Sequence, residues 1–200
     1  MRKLVPLMLC LAAPAQAQDI ELPPGTELEA RVEADLNGDG IADVAYLAGN
    51  EDSRAPSVLL SERSEVHFEH RPEVLVLEPA SLGPGSLSIE GNVLKFEDLT
   101  GGTTAVASTS RYRYDPAIGH MRLIGLDATL YSRTFMHDGF ELSWNLLTGD
   151  LITRKLRLNE AGGDAAYDPV GERKSKRRSP PIWLSESPYP EELIAELGGG

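Results

Sequence analysis

The chain has 200 residues, of which 19 are basic and 31 are acidic, so its formal net charge is −12. An acidic surface disfavours nucleic acid and anionic lipid as partners. The length allows one sizeable hydrophobic core, and no stretch after the N-terminal segment approaches the roughly eighteen apolar residues of a membrane-spanning helix.

The first residues have the pattern of an export signal. Two basic residues precede a short apolar run at 4–13, and the Ala-Gln-Ala sequence at 15–17 supplies the small residues of a cleavage site. We therefore expect a signal peptide at 1–17 and a periplasmic or secreted protein that begins at Gln18. Cys10 lies inside the apolar run, so the mature chain is expected to have no disulfides.

The next segment, 28–48, predicts two strands joined by a short loop. Apolar and polar residues alternate from Leu28 to Asp35, which is the period of a strand with one buried face. The run at 41–47 is apolar on both faces, which disfavours an exposed helix and indicates a buried strand. The whole segment is therefore predicted to be a hairpin.

The loop of this hairpin concentrates oxygen-bearing side chains. Counted from Asp35, they stand at positions 1, 3, 5 and 9, and Gly40 stands at position 6, where the chain must turn with positive φ. Oxygen ligands without a nearby His or Cys favour Ca²⁺ over zinc. The predicted calcium ligands are Asp35, Asn37, Asp39, the Ile41 carbonyl and Asp43.

The segment 35–44 resembles the calcium hairpin of FG-GAP/VCBS-type repeats, as in integrin-like β-propellers. The positions that match are Asp35, Asn37, Asp39, Gly40 and Asp43. An EF-hand fits less well, because its position 12 requires a glutamate and is Tyr46 here. One copy of the repeat is too few for a propeller, so the resemblance implies the calcium site alone. The alternative for this stretch is a metal-free turn.

Alternating or apolar segments separated by turn residues predict further strands. They lie at 57–61, 66–69, 87–90, 93–96, 103–114, 121–133, 140–146 and 151–158. Helical spacing is rare, and the candidate is 190–197, which begins at a proline and is followed by a glycine. We predict a monomeric, all-β and mainly antiparallel fold, either a β-sandwich or a twisted pair of sheets with a short C-terminal helix.

The composition changes after residue 158. Residues 159–181 contain two adjacent glycines and a basic run at 173–178, and they are predicted to be a solvated linker. The alternative for the basic run is a contact with an anionic polymer such as lipopolysaccharide. Residues 182–184 are expected to dock on the core. The predicted domains are a signal peptide at 1–17, a β domain at 18–158, and a linker with a docking segment at 159–200.

The sequence lacks the motifs that would define an enzyme. It has no Gly-x-Ser-x-Gly elbow and no Gly-rich phosphate loop. Surface or turn positions are expected for His67, His70, His120 and His137. We interpret the protein as a non-catalytic calcium-binding domain whose partner is a protein or a glycan. The alternative is a polysaccharide- or cell-wall-directed hydrolase with a structural calcium, which would need a pocket lined by two carboxylates.

Overall fold

A computed structural model of the chain consists of two antiparallel sheets and a short C-terminal helix. It describes residues 20–50, 53–63, 68–77, 82–159 and 166–198. The predicted signal peptide at 1–17 lies outside the described residues. Within them, the two sheets confirm the predicted all-β fold class.

The first sheet has four strands that follow one another in chain order. The strands are β1 (Glu27–Ala34), β2 (Asp43–Gly49), β3 (Arg54–Arg63) and β4 (Phe68–Val74). Strand β2 is buried along its whole length. On one face Leu47 joins the main core, and on the other Val44, Tyr46 and Ala48 form a second cluster against which Ile20 and Leu22 pack. This double burial explains why the sequence of β2 is apolar on both faces.

The second sheet has seven strands, again joined in chain order. The strands are β5 (Ser86–Glu90), β6 (Val93–Gly101), β7 (Thr104–Asp115), β8 (His120–Ser132), β9 (Gly139–Asn145), β10 (Asp150–Leu158) and β11 (Tyr167–Lys176). The β5–β6 turn has Gly91 at a φ of 61°, as its glycine-first sequence predicts. The alternation in β9 also holds, since Phe140, Leu142 and Trp144 are all buried.

The C-terminal segment packs onto the inner face of the seven-stranded sheet. It contains a 3-10 turn at Leu184–Glu186 and the helix α1 at Pro190–Gly198. Leu184 is fully buried, and Leu123 donates its amide hydrogen to the Ile182 carbonyl at 2.8 Å. Residues 182 and 184 thus contact the core, where the sequence predicts that 182–184 docks. Neither helical segment in the described part of the chain has the length and hydrophobicity needed to span a bilayer.

The linker predicted at 159–181 is wrong over 167–176, because those residues form β11 and pair with β10. Most of the side chains of β11 are exposed, so the strand has no alternating apolar pattern that could reveal it. Basic residues in β11 and directly after it form salt bridges with acidic neighbours. Salt bridges join Lys174 to Glu172, Lys176 to Asp150, and Arg177 to Glu196.

Candidate metal centre

The predicted calcium loop lies between β1 and β2, whose pairing ends at Ala34 and Asp43. Within the loop, Gly38 has a φ of 85° and Gly40 a φ of 83°. These left-handed conformations favour glycine, because a side chain there would strain the backbone. The Asn-Gly-Asp-Gly sequence therefore fits the shape of the loop, and the predicted strand–loop–strand arrangement is confirmed.

The carboxylate of Asp35 accepts hydrogen bonds from three backbone amides of the loop. Its Oδ1 accepts hydrogen bonds from the amides of Gly38, at 2.6 Å, and Asp39, at 3.2 Å. Its Oδ2 accepts a hydrogen bond from the amide of Gly40 at 2.9 Å. Short polar side chains commonly organise turns in this way. Asp35 thus fixes the backbone path of the loop from Gly38 to Gly40.

Asn37 and Asp39 continue this arrangement with turns of their own. Asn37 Oδ1 accepts from the Asp39 amide at 2.9 Å, and Asp39 Oδ1 accepts from the Ile41 amide at 2.8 Å. The side-chain amide of Asn37 also donates to the Ser61 carbonyl on β3 at 3.2 Å. Asp39 is exposed, and its Oδ2 accepts no hydrogen bond from the described part of the chain. This oxygen is available to a cation.

Asp43 is fully buried and ties the loop to the neighbouring strand. Its Oδ2 accepts from the amides of Leu36, at 2.7 Å, and Asn37, at 3.2 Å, and its Oδ1 accepts from the Ser61 amide at 2.7 Å. Burial raises the pKa of the Asp43 carboxyl, and the three amide hydrogen bonds act in the opposite direction. Oδ1 accepts one of these bonds and so keeps a lone pair for a further contact.

The predicted ligands share one loop but point in different directions. Asp35 and Asp39 are on its exposed side, whereas Asp43 is on its buried side. Among the residues that the structure describes, no three or more His, Cys, Asp or Glu side chains form a group that could hold a metal ion. The donors are nevertheless all oxygen atoms, which is the ligand chemistry of Ca²⁺. The loop therefore offers the right donor type, with its carboxylates turned toward its own amides.

Ser61 is a residue of this site that the sequence does not reveal. It lies on β3, at a separation of 18 positions from Asp43 and 24 from Asn37. Both contacts use backbone atoms of Ser61, so no feature of its side chain could have predicted them. The buried Leu36, by contrast, is visible in the sequence as an apolar residue inside an acidic loop.

The histidines that the structure describes with their side chains do not share a site. His120 begins β8, and its Nδ1 lies 3.3 Å from Glu73 Oε1. His137 lies between β8 and β9, and its ring is hydrogen-bonded to a threonine hydroxyl at 2.8 Å. His67 and the side chain of His70 lie outside the described parts of the chain.

Comparison with protein-family models, with curated proteins and with solved structures finds no match to the chain. The resemblance to FG-GAP/VCBS-type hairpins therefore stays a prediction that depends on the residues of the loop. The basis for a functional proposal is the geometry of the loop and the chemistry of its oxygen atoms.

Proposed function

We propose that the protein is a calcium-binding β domain of the periplasm or the extracellular space, with a binding or structural role. The observation that carries this proposal is the loop at 35–43, which presents oxygen donors alone on a backbone shaped by two left-handed glycines. The ligands would be Asp35, Asn37, Asp39, the Ile41 carbonyl and Asp43. Calcium would neutralise the three carboxylates crowded into this loop.

The division of roles within the loop supports the proposal. The buried Asp43 anchors the loop to β3 through the Ser61 amide, so the exposed side is held in place before an ion arrives. Asp35 and Asp39 face solvent there, and the charge of Asp39 is close enough to act on the Asp43 carboxyl. A divalent cation would relieve this repulsion.

Calcium would also stabilise a chain that has few other cross-links. The one cysteine of the sequence, Cys10, falls in the predicted signal peptide, so the mature protein would depend on non-covalent contacts. Because the bidentate glutamate of an EF-hand is replaced by Tyr46, we expect a Kd of about 10⁻⁴–10⁻³ M, as in extracellular modules. The ion would then act as a structural element rather than as a sensor of small changes in concentration.

A hydrolase is the second candidate, and it would need a cavity lined by two carboxylates. A cavity away from the loop is lined by Glu191 and Glu192. These are consecutive residues in the first turn of α1, so their side chains leave the helix about 100° apart and do not face each other. Glycoside hydrolases place their two carboxyl groups on opposite sides of the scissile bond. The Glu191 and Glu192 pair therefore does not support a hydrolase. A hydrolase would instead have to use Asp138 and Asp168, which line a second cavity.

Thermal unfolding with calcium and with chelator tests the proposal. At about 10 mM Ca²⁺ the wild-type protein should gain about 1.4–2.7 kcal/mol by mass action, which corresponds to a rise in Tm of about 3–10 °C. Asp39→Ala should abolish this response because it removes an exposed ligand. Glu27→Ala removes the same charge from an exposed position at the start of β1, and it should respond like the wild type. A wild-type Tm that is equal in calcium and chelator would overturn the proposal.

A further inference from the structure

A cavity of about 300 Å³ lies between the two sheets and the C-terminal segment, away from the calcium loop. One wall comes from Leu75 and Leu77, which follow β4. Another comes from Phe96 and Tyr112 on β6 and β7, and Tyr189 of the C-terminal segment closes the third side. The interior is thus mainly apolar, and its size suits a compact organic molecule.

The cavity has a cause in the sequence of β7. The inward face of this strand carries Ser108 and Ser110 between the large residues Val106 and Tyr112. In the sheet, Ser108 is paired with Asp98 on β6 and with Ala128 on β8. A row of small and polar side chains therefore crosses the sheet at this level. No large side chain among the described residues fills the space above it, and space left empty in a protein interior costs stability.

The polar side chains that line the cavity differ in whether they already have a hydrogen-bond partner. The Tyr112 hydroxyl donates to Ser187 Oγ at 3.0 Å, and Ser187 in turn donates to the Trp183 carbonyl at 3.2 Å. The Ser108 hydroxyl, which also lines the cavity, has no hydrogen-bond partner among the described residues. Ser108 is therefore free to bind a group that enters the cavity.

The rim of the cavity carries two negative charges. Glu191 is half-buried, and its Oε1 accepts a hydrogen bond from the Thr100 hydroxyl. Glu192 is exposed beside it. Neither carboxylate forms a salt bridge with any described lysine, arginine or histidine, although many other acidic side chains do. The rim is thus complementary to a positively charged group.

We propose that this cavity binds a compact amphipathic cation, an alkyl- or arylammonium compound. Its apolar body would occupy the space over Ser108 and Ser110, against Phe96. Its ammonium group would lie at the rim and donate to the carboxylate of Glu191, where a charge-assisted hydrogen bond is favourable. The proposal does not depend on calcium, because the cavity shares no residue with the loop at 35–43.

Isothermal titration of the mature protein with three matched probes tests the proposal. They are 2-phenylethylammonium, the neutral 2-phenylethanol and the anionic 3-phenylpropanoate. The ammonium should bind about five- to tenfold more tightly than the alcohol, since a hydrogen bond to a charged group exceeds a neutral one. The propanoate should bind more weakly than either. Failure of all three to bind at about 10 mM would overturn the proposal, as would equal affinity for the ammonium and the propanoate.

Variants locate the binding within the cavity. Ser108→Leu should fill the space and abolish binding of all three probes. The smaller change Ser108→Val should weaken their binding. This second variant keeps the test valid if the leucine variant does not fold. Glu191→Gln should remove the preference for the ammonium over the alcohol. Glu196→Gln changes the same helix outside the cavity. This variant should keep the preference for the ammonium over the alcohol. Probe affinities unchanged by both Ser108 variants, or an ammonium preference retained by Glu191→Gln, would contradict the proposal.

Discussion

The buried carboxylate of Asp43 shows how one residue can connect a loop to a sheet. Removal from water disfavours its charged form and raises its pKa. The amides of Leu36, Asn37 and Ser61 supply hydrogen bonds in place of water. Two of these bonds, from the amides of Leu36 and Ser61, are buried. Asp43 therefore contributes to the fold whether or not calcium is bound.

Replacement of Asp43 tests this structural role separately from metal binding. Asp43→Ala should lower the free energy of unfolding by about 2–4 kcal/mol in chelator, because buried amides left without an acceptor are costly. Asp39→Ala should change it by about 0.5 kcal/mol or less, as is usual for an exposed position. Urea denaturation of both variants without calcium measures the difference. Equal losses of unfolding free energy in the two variants would mean that the buried contacts of Asp43 stabilise the fold no more than the exposed Asp39 does.

At this scale the sequence predicts which residues belong to the loop but not how each is used. The spacing of Asp35, Asn37, Asp39 and Asp43 is a local pattern, and a local pattern can be recognised without a structure. The contrast between the exposed Asp39 and the buried Asp43 depends on where β3 lies. That position is fixed by strand pairing over a long sequence separation, which spacing alone does not encode.

Among the elements, β11 shows the limit of periodicity as a guide. It lies at the edge of the seven-stranded sheet and pairs with β10 through a register shift between Thr153 and Lys155. Most of its side chains are exposed, so neither face has to be apolar. Charged residues on an edge strand oppose pairing with other chains. The basic composition that suggested a linker is therefore compatible with an edge strand.

The end of this basic run docks on the core through Arg177. Its guanidinium lies 5.1 Å from the centroid of the Trp144 ring and is paired with Glu196 on α1. The Trp144 indole also donates to the Arg177 carbonyl at 2.9 Å. These contacts join β9, the end of β11 and α1. They explain why the chain follows a defined path here.

Two neighbouring arginines therefore provide a matched test of docking. Arg177→Gln should cost about 1 kcal/mol, because it removes a cation–π contact and a partly exposed salt bridge. Arg178→Gln, at an exposed position of the same run, should stay within about 0.5 kcal/mol. Urea denaturation measures both. If neither change had an effect, the segment would behave as the solvated linker that the sequence suggests.

For the molecule as a whole, the contacts between the sheets are what the sequence predicts least. Arg54 on β3 is 4% exposed, and it pairs with Glu29 on β1, at 2.8 Å, and with Asp98 on β6. This buried group joins the two sheets, and no local motif marks it. The cavity above Ser108 likewise depends on the register that places Ala128 beside it. Most strands and the hairpin at 28–48 were predictable from local patterns, whereas β11 and the packing between the two sheets were not.

The central claim for the whole molecule is that calcium binds in the loop at 35–43. Amide NMR spectra of the chain from residue 18 onward, recorded as Ca²⁺ is added, test it residue by residue. The amides of Gly38, Gly40 and Ile41 should shift and reach saturation with a Kd of about 10⁻⁴–10⁻³ M. The same amides should stay unchanged in Asp39→Ala. Wild-type loop amides that do not move up to about 20 mM Ca²⁺, well above that Kd range, would contradict the claim and leave a metal-free turn.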